Sequence, residues 1–235
     1  MYALPRGVLQ FALNAATDSL PTLTNLGRWR LRSANNIKCP LCQNNQTLHH
    51  VLNFCKTKLD QGRYTWRHDS VLNYLVSIFK NSDNTNDYHV YADLGGKKGE
   101  TVTTVPPDVL PTSQRPDLVI HWPHLSKICI IELTIPFETN IVDAHQRKLD
   151  KYASLVNDLT EKGLKVDIHA FEIGSRGYLS PENTSTLKSL IHLSGTTQTF
   201  KNVRNDLMKI VLCTSFSIYC SKSEPSWIDP PLFKL

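Results

Sequence analysis

Cys39 and Cys42 are separated by two residues, His50 follows Cys42 after seven, and Cys55 follows His50 after four. The pattern C-x2-C-x7-H-x4-C suits a tetrahedral zinc ion. Two thiolates on a tight turn and a His/Cys pair about one helical turn apart can close four corners. His49, one residue short of the pattern, is the rival fourth ligand. Four protein ligands leave no open position for a substrate water, so such a zinc would be structural. Cys129, Cys213 and Cys220 stand in apolar contexts and are expected to be buried small hydrophobes.

A second group has different chemistry. Asp117 opens one apolar stretch and Glu132 lies inside the next, with fourteen residues between them. Adjacent strands can bring both carboxylates to one sheet edge, where hard oxygens, with the backbone carbonyl of Leu133, would hold Mg²⁺. Such an ion polarises a phosphodiester and lowers the pKa of bound water. A lysine nearby would orient the water or neutralise charge developing on phosphorus. In "AHQRKLDKY", Lys148, Lys151 and Tyr152 fall at i, i+3 and i+4 and share one helix face. The alternative is a structural pairing of Asp117 with Arg and Glu132 with Lys. A carboxylate inside an apolar run needs some partner, because burying it alone costs several kcal/mol.

The surrounding pattern supplies elements to position these groups. Residues 4–18 read as a helix stopped before Pro21, and 57–80 as a helix or a broken pair. "NSDNTND" breaks that helix, "YHVYADL" alternates like a strand, and "GGKKGE" reads as a loop. "DLVIHW" and "KICIIELTI" are short, β-branched and apolar, as buried strands are. A helix follows over 138–161, ended by Gly163, then a strand in "KVDIHAFEI" and helices over 182–193 and 199–220. The order predicts an α/β domain of about 150 residues preceded by a small cysteine module.

Composition sets the outer limits. A chain of 235 residues with 40% hydrophobic and 20% charged residues is ordinary for a globular protein. No apolar run reaches the eighteen residues of a membrane span, and the first twenty residues lack signal-peptide layout. A reducing compartment is therefore expected, which favours metal ligation over disulfides. Residues 1–80 hold ten Lys or Arg against three Asp, an excess of seven positive charges, while the whole chain carries +5. A basic segment flanking a cysteine cluster suggests a polyanionic partner, or else a solvated basic face.

Taken together, "CPLCQNNQTLHHVLNFC", "RYTWRHDSVL", "RPDLVI", "IIELTIPFE" and "RKLDKY" resemble the C-terminal region of non-LTR retrotransposon polyproteins that carry a restriction-like endonuclease. In that family the knuckle precedes a nuclease of the PD-(D/E)XK superfamily. The resemblance covers nearly the whole chain. It implies a linker over 1–36, a CCHC zinc knuckle over 37–58 and, over 59–235, an α/β domain with a restriction-endonuclease-like core, a mixed sheet flanked by helices.

By the same resemblance Asp117 and Glu132 would bind Mg²⁺ and Lys148 would be the catalytic lysine, with Lys151 and Tyr152 beside it. The wider superfamily places that lysine two residues after the second acid, where this chain has Thr134. In this family it stands on the following helix, and Lys151 is the rival to Lys148. Arg63, Arg67 and His68 would lie near DNA, with Asp69 adding an acidic contact. The implied activity is nicking of target DNA to leave a 3′-hydroxyl for reverse transcription. DNA and the element's RNA would be the partners and the nucleus the site of action. These residues contain no reverse-transcriptase aspartate pair, so the polymerase would lie elsewhere. Two other readings are a nucleic-acid-binding remnant without catalysis and a structure-specific nuclease like a Holliday-junction resolvase.

Overall fold

The computed structural model describes residues 4–33, 35–80, 87–94, 105–228, 230, 231 and 233. The breaks expected at 81–86 and 95–100 lie outside these residues. The chain begins with α1 (Arg6–Ala16) and α2 (Leu23–Arg28), followed by the cysteine segment with its single π-type turn, His50–Phe54. The broken helical pattern after it resolves into α3 (Lys56–Asp60) and α4 (Arg63–Lys80). Gly62 lies between them at φ +73°, a left-handed conformation that glycine adopts at little cost.

The sheet comprises β1 (His89–Ala92), β2 (Leu118–Trp122), β3 (Lys127–Thr134) and β4 (Lys165–Glu172), in the order β1-β2-β3-β4. The first two pairings are antiparallel and β3–β4 is parallel. Parallel neighbours require a crossover, which α5 (Ile141–Glu161) provides. Gly163, at φ +84°, turns the chain just beyond it. Helices α6 (Pro181–Ser194) and α7 (Phe200–Cys220) complete the chain. Ser180 and Thr199 cap them, each hydroxyl accepting a backbone N–H of the first turn. The protein is thus α/β, a four-stranded mixed sheet flanked by helices, with a Cys/His cluster near the N-terminus. Among the described residues no helix is long and apolar enough to cross a membrane.

Both sheet faces are covered, which is why β3 reads as an unbroken apolar run. One face packs Leu118, Ile120, Cys129 and Ile131 against α4, α6 and α7. The other packs Val119, Ile128 and Ile130 against Tyr152, Leu155 and Leu159 of α5. A separate cluster joins Phe11 and Ala15 of α1, Leu48, Val51 and Leu52 of the cysteine segment, Trp66 of α4, and Ile218 and Tyr219 of α7. Lys58 reinforces this junction. Its buried ammonium donates to the carbonyls of Val51 and Ile218, both 3.2 Å away. Cys129 and Cys213 are buried as expected, whereas Cys220 is exposed. Cys220 ends α7, beyond the face that packs on the sheet.

Candidate active site and metal centre

The cysteine segment forms a compact metal-ligand cluster. Cys39 N–H donates to the Asn44 carbonyl and Gln43 N–H to the Cys39 carbonyl, and Gln43 adopts φ +63° to close the turn. This loop brings Cys39 and Cys42 together. The second pair depends on the π-type turn. In an α-helix, residues five apart point roughly 140° away from each other at about 100° per residue. An i→i+5 turn is wider and brings His50 and Cys55 back to one side.

One ligand atom from each of Cys39, Cys42, His50 and Cys55 lies within 4.8 Å of every other. Cys42 Sγ is 3.2 Å from His50 Nε2 and 3.7 Å from Cys55 Sγ. A zinc–sulfur bond of about 2.3 Å gives tetrahedral edges of about 3.8 Å, so the spacing suits zinc. Burial raises the Cys55 thiol to about 11, so a metal binding there must displace its proton. His49 takes no part in the cluster. Its ring packs on Phe54 and Phe137, with centroids 4.3 Å and 4.5 Å away.

The carboxylate group assembles at one end of the β2–β3 pair. The ladder joins Leu118 to Ile131, so its next step sets Asp117 opposite Glu132. Asp117 N–H donates to Glu132 Oε1 at 3.1 Å, and Leu133 N–H donates to Asp117 Oδ2 at 2.8 Å. The two acids therefore hold each other's backbone. The carbonyl of Thr134 accepts from Ile173 N–H on the β4 side. By alternation the Leu133 carbonyl faces β2 and Asp117, where it was expected to be useful.

Helix α5 supplies the lysine. Lys148 Nζ reaches Glu132 Oε2 at 2.6 Å and Asp117 Oδ2 at 3.7 Å. Lys151 instead donates to Tyr152 Oη at 2.8 Å and lies over that ring. Geometry thus brings Lys148, not Lys151, onto the carboxylates. Tyr152 is buried beside them. Burial, followed by its hydrogen bond to Glu132, keeps the phenol protonated well above its ordinary range.

Two expected DNA contacts require correction. Arg63 and Arg67 are buried. Arg63 donates to the carbonyls of Ser221 and Glu224, both at 2.7 Å, and stacks over Trp227. Arg67 donates to Ser215 Oγ at 3.1 Å and the Ile135 carbonyl at 3.3 Å. Their hydrogen bonds run to the chain's own carbonyls and side chains, so both guanidinium groups are turned inward and not toward a phosphate. Both sit on the α4 face that packs with Trp66 inward.

His68, grouped with them in sequence, lies in the carboxylate cluster instead. Its Nδ1 is 3.0 Å from Asp69 Oδ1 and its Nε2 is 3.4 Å from Asp117 Oδ2. Burial alone would lower the imidazole, but hydrogen bonds and charge from Asp117 and Asp69 outweigh it and raise it to about 9. Burial alone would likewise raise Asp117. The His68 hydrogen bond and charge, Lys148 and the Leu133 N–H together hold it below the usual carboxylate range. Nothing local in the sequence signals this contact, because it joins α4 to the edge of the sheet.

The donor set is two carboxylates of hard oxygen, with an ammonium already seated between them. Hard carboxylate oxygens are the donors that Mg²⁺ would take, and in this structure the Lys148 ammonium stands on them. Comparison with protein-family models and with curated proteins gave no match to this chain.

Proposed function

We propose that this protein is a metal-dependent DNA endonuclease with a restriction-endonuclease-like core and a zinc knuckle of the non-LTR retrotransposon kind. The observation that carries the reading is Lys148 of α5 reaching Glu132 of β3, with Asp117, the residue just before β2, beside it. Mg²⁺ held by Asp117 and Glu132 would polarise the phosphodiester and make water a better nucleophile. Lys148 would then be released to orient water or to neutralise charge on the phosphorus oxygens. His68 and Asp69 fix the Asp117 carboxylate. Tyr152, hydrogen-bonded to Glu132, does the same for the second acid.

DNA is held through phosphates by the exposed basic run Arg28, Arg30, Arg32 and Lys38, beside the metal cluster. The exposed Trp29 and Leu31 interleave with it. The product is a nick with a 3′-hydroxyl from which reverse transcription starts. Access to chromosomal DNA makes the nucleus the place of action.

One observation favours a binding-only protein. The chain's own cations, Lys148 and His68, already face both carboxylates. Nicking of supercoiled plasmid, with and without Mg²⁺, separates the two readings. The wild type is expected to nick only with Mg²⁺. Asp117→Ala should abolish nicking with DNA affinity retained, Lys148→Ala should slow it about 100-fold or more, and Lys151→Ala should retain most of it. A folded, zinc-loaded, DNA-binding protein that never nicks, or nicking that survives Asp117→Ala, overturns the proposal.

A further inference from the structure

A second helix-to-sheet ion pair stands beside the first. His145 is one turn before Lys148 on α5, so the two project from the same side of the helix. Lys148 reaches Glu132 of β3, and His145 Nδ1 lies 3.0 Å from Glu172 Oε2 of β4. The parallel register pairs Glu132 with Ala170 and Thr134 with Glu172. Glu132 and Glu172 therefore lie on the same sheet face, on neighbouring strands and two residues out of step.

The Glu172 end is a built site. Its side chain is fully buried, 0% exposed, at the floor of a cleft of about 450 Å³ between the N-terminal turns of α5 and α6. Asn183 clamps it, donating from Nδ2 to Glu172 Oε2 at 3.1 Å and accepting the Glu172 N–H at 2.9 Å. Ser180 in turn accepts from Asn183 Nδ2. A carboxylate oxygen only accepts, so against the Glu172 carboxylate the His145 contact is an Nδ1–H donated to Oε2. This tautomer leaves Nε2 as the nitrogen available to the cleft, with the His145 side chain 41% exposed. Among the described residues Glu172 Oε1 is buried without a hydrogen-bond partner, and so is Thr134 Oγ1 on the same face. The other acids at the cleft are Glu182 of α6 and Glu138, and Glu138 is occupied by Arg176 at 2.6 Å.

A base-orienting carboxylate, an imidazole with one nitrogen fixed, and an open cleft on the other side make a proton-transfer dyad. We infer that His145, oriented by Glu172, is the general acid that protonates the leaving 3′-oxygen, with the α5–α6 cleft receiving that side of the cut strand. The inference rests on the endonuclease reading above and assigns a group that reading lacks. In that reading Lys148 serves the attacking water or the phosphorus oxygens, which leaves protonation of the 3′-oxygen to another group. In the step, the water oxygen bonds to phosphorus and its proton passes to a second solvent water. The P–O3′ bond breaks, and its electron pair stays on O3′. His145 enters the step as the imidazolium, its Nδ1–H on Glu172 and its second proton on Nε2. Transfer of the Nε2 proton completes the 3′-hydroxyl and leaves the neutral Nδ1–H ring, and solvent water then reprotonates Nε2. Glu172 acts through His145 and is a positioning residue.

The test compares a normal phosphodiester with one whose scissile 3′-oxygen is replaced by bridging sulfur, a leaving group that needs no proton. Mn²⁺ replaces Mg²⁺ in every arm, so that metal preference does not bias the sulfur substrate. His145→Gln should cut the normal substrate about 100-fold or more slowly than wild type and the sulfur substrate at nearly the wild-type rate. Glu172→Gln, which keeps an acceptor for Nδ1, should show the same split with a smaller loss. Equal rates for wild type and His145→Gln on both substrates overturn the assignment. Equal losses on both substrates overturn it too, and make the pair a structural tie between α5 and β4. A wild type that cuts neither substrate removes the endonuclease reading itself, which the other outcomes leave standing.

Discussion

His68 on α4 points its Nε2 at Asp117 Oδ2 across 3.4 Å, so a helix in the N-terminal half of the chain bears directly on the first acid of the carboxylate pair. Asp69 holds the other imidazole nitrogen at 3.0 Å. The imidazole thus joins a helix carboxylate to the carboxylate that precedes β2, and its charge offsets part of theirs.

The pH dependence of this contact has a definite sign. In the folded protein His68 is raised from 6.5 to about 9. A group raised on folding contributes stability that is fully present below its unfolded pKa and is lost as pH rises through the folded one. Without added Mg²⁺, stability linked to His68 should therefore decline between about pH 6.5 and pH 9. Histidine C–H shifts followed by NMR should show one imidazole titrating near 9 that moves back toward 6.5 in Asp117→Asn. A midpoint at or below 6.5 for His68 in the wild type would contradict the contact.

Arg67 should behave as an internal strut. Arg67→Met strands the Ser215 hydroxyl, while the Ile135 carbonyl keeps the Asn53 Nδ2–H at 2.8 Å, so the loss should be about 1–3 kcal/mol for the one buried group left unpaired. Urea denaturation should register that loss, while the salt slope of DNA binding stays unchanged. Arg30→Ala should do the reverse, lowering the slope by about one with little effect on stability. If Arg67→Met alone lowered the slope, the guanidinium would have to reach phosphate.

The metal cluster discriminates between adjacent histidines. Purified protein should hold one zinc per chain by atomic absorption. His50→Ala and Cys55→Ala should lose it, and His49→Ala should keep it. Because Leu48, Val51 and Leu52 pack with α1, α4 and α7, zinc removal should also lower the melting temperature. Full zinc content in His50→Ala together with loss in His49→Ala would reverse the ligand assignment.

Much of the frame was legible because it is set by local pattern. The runs "DLVIHW", "KICIIELTI" and "KVDIHAFEI" could be read as strands because β-branched apolar residues leave little alternative when both faces are covered. The three cysteines and a histidine showed metal-ligand spacing in one short segment. Helix periodicity placed Lys148, Lys151 and Tyr152 on one side of α5.

Tertiary structure decided what periodicity leaves degenerate. Lys148 and Lys151 are equal candidates on a helical face until the sheet is in place, and only then does one meet Glu132 and the other Tyr152. Arg63, Arg67 and His68 form one basic run in sequence. In the fold, two are buried on carbonyls from distant segments and the third reaches Asp117. The Glu172–His145 pair was invisible for the same reason. A charged side chain can be buried wherever the fold supplies its partners, and those partners come from strands, helix ends and loops far apart in the chain. Sequence determines which groups are available and which elements carry them. Long-range packing determines which partner neutralises each charge and which charges are left facing a cleft.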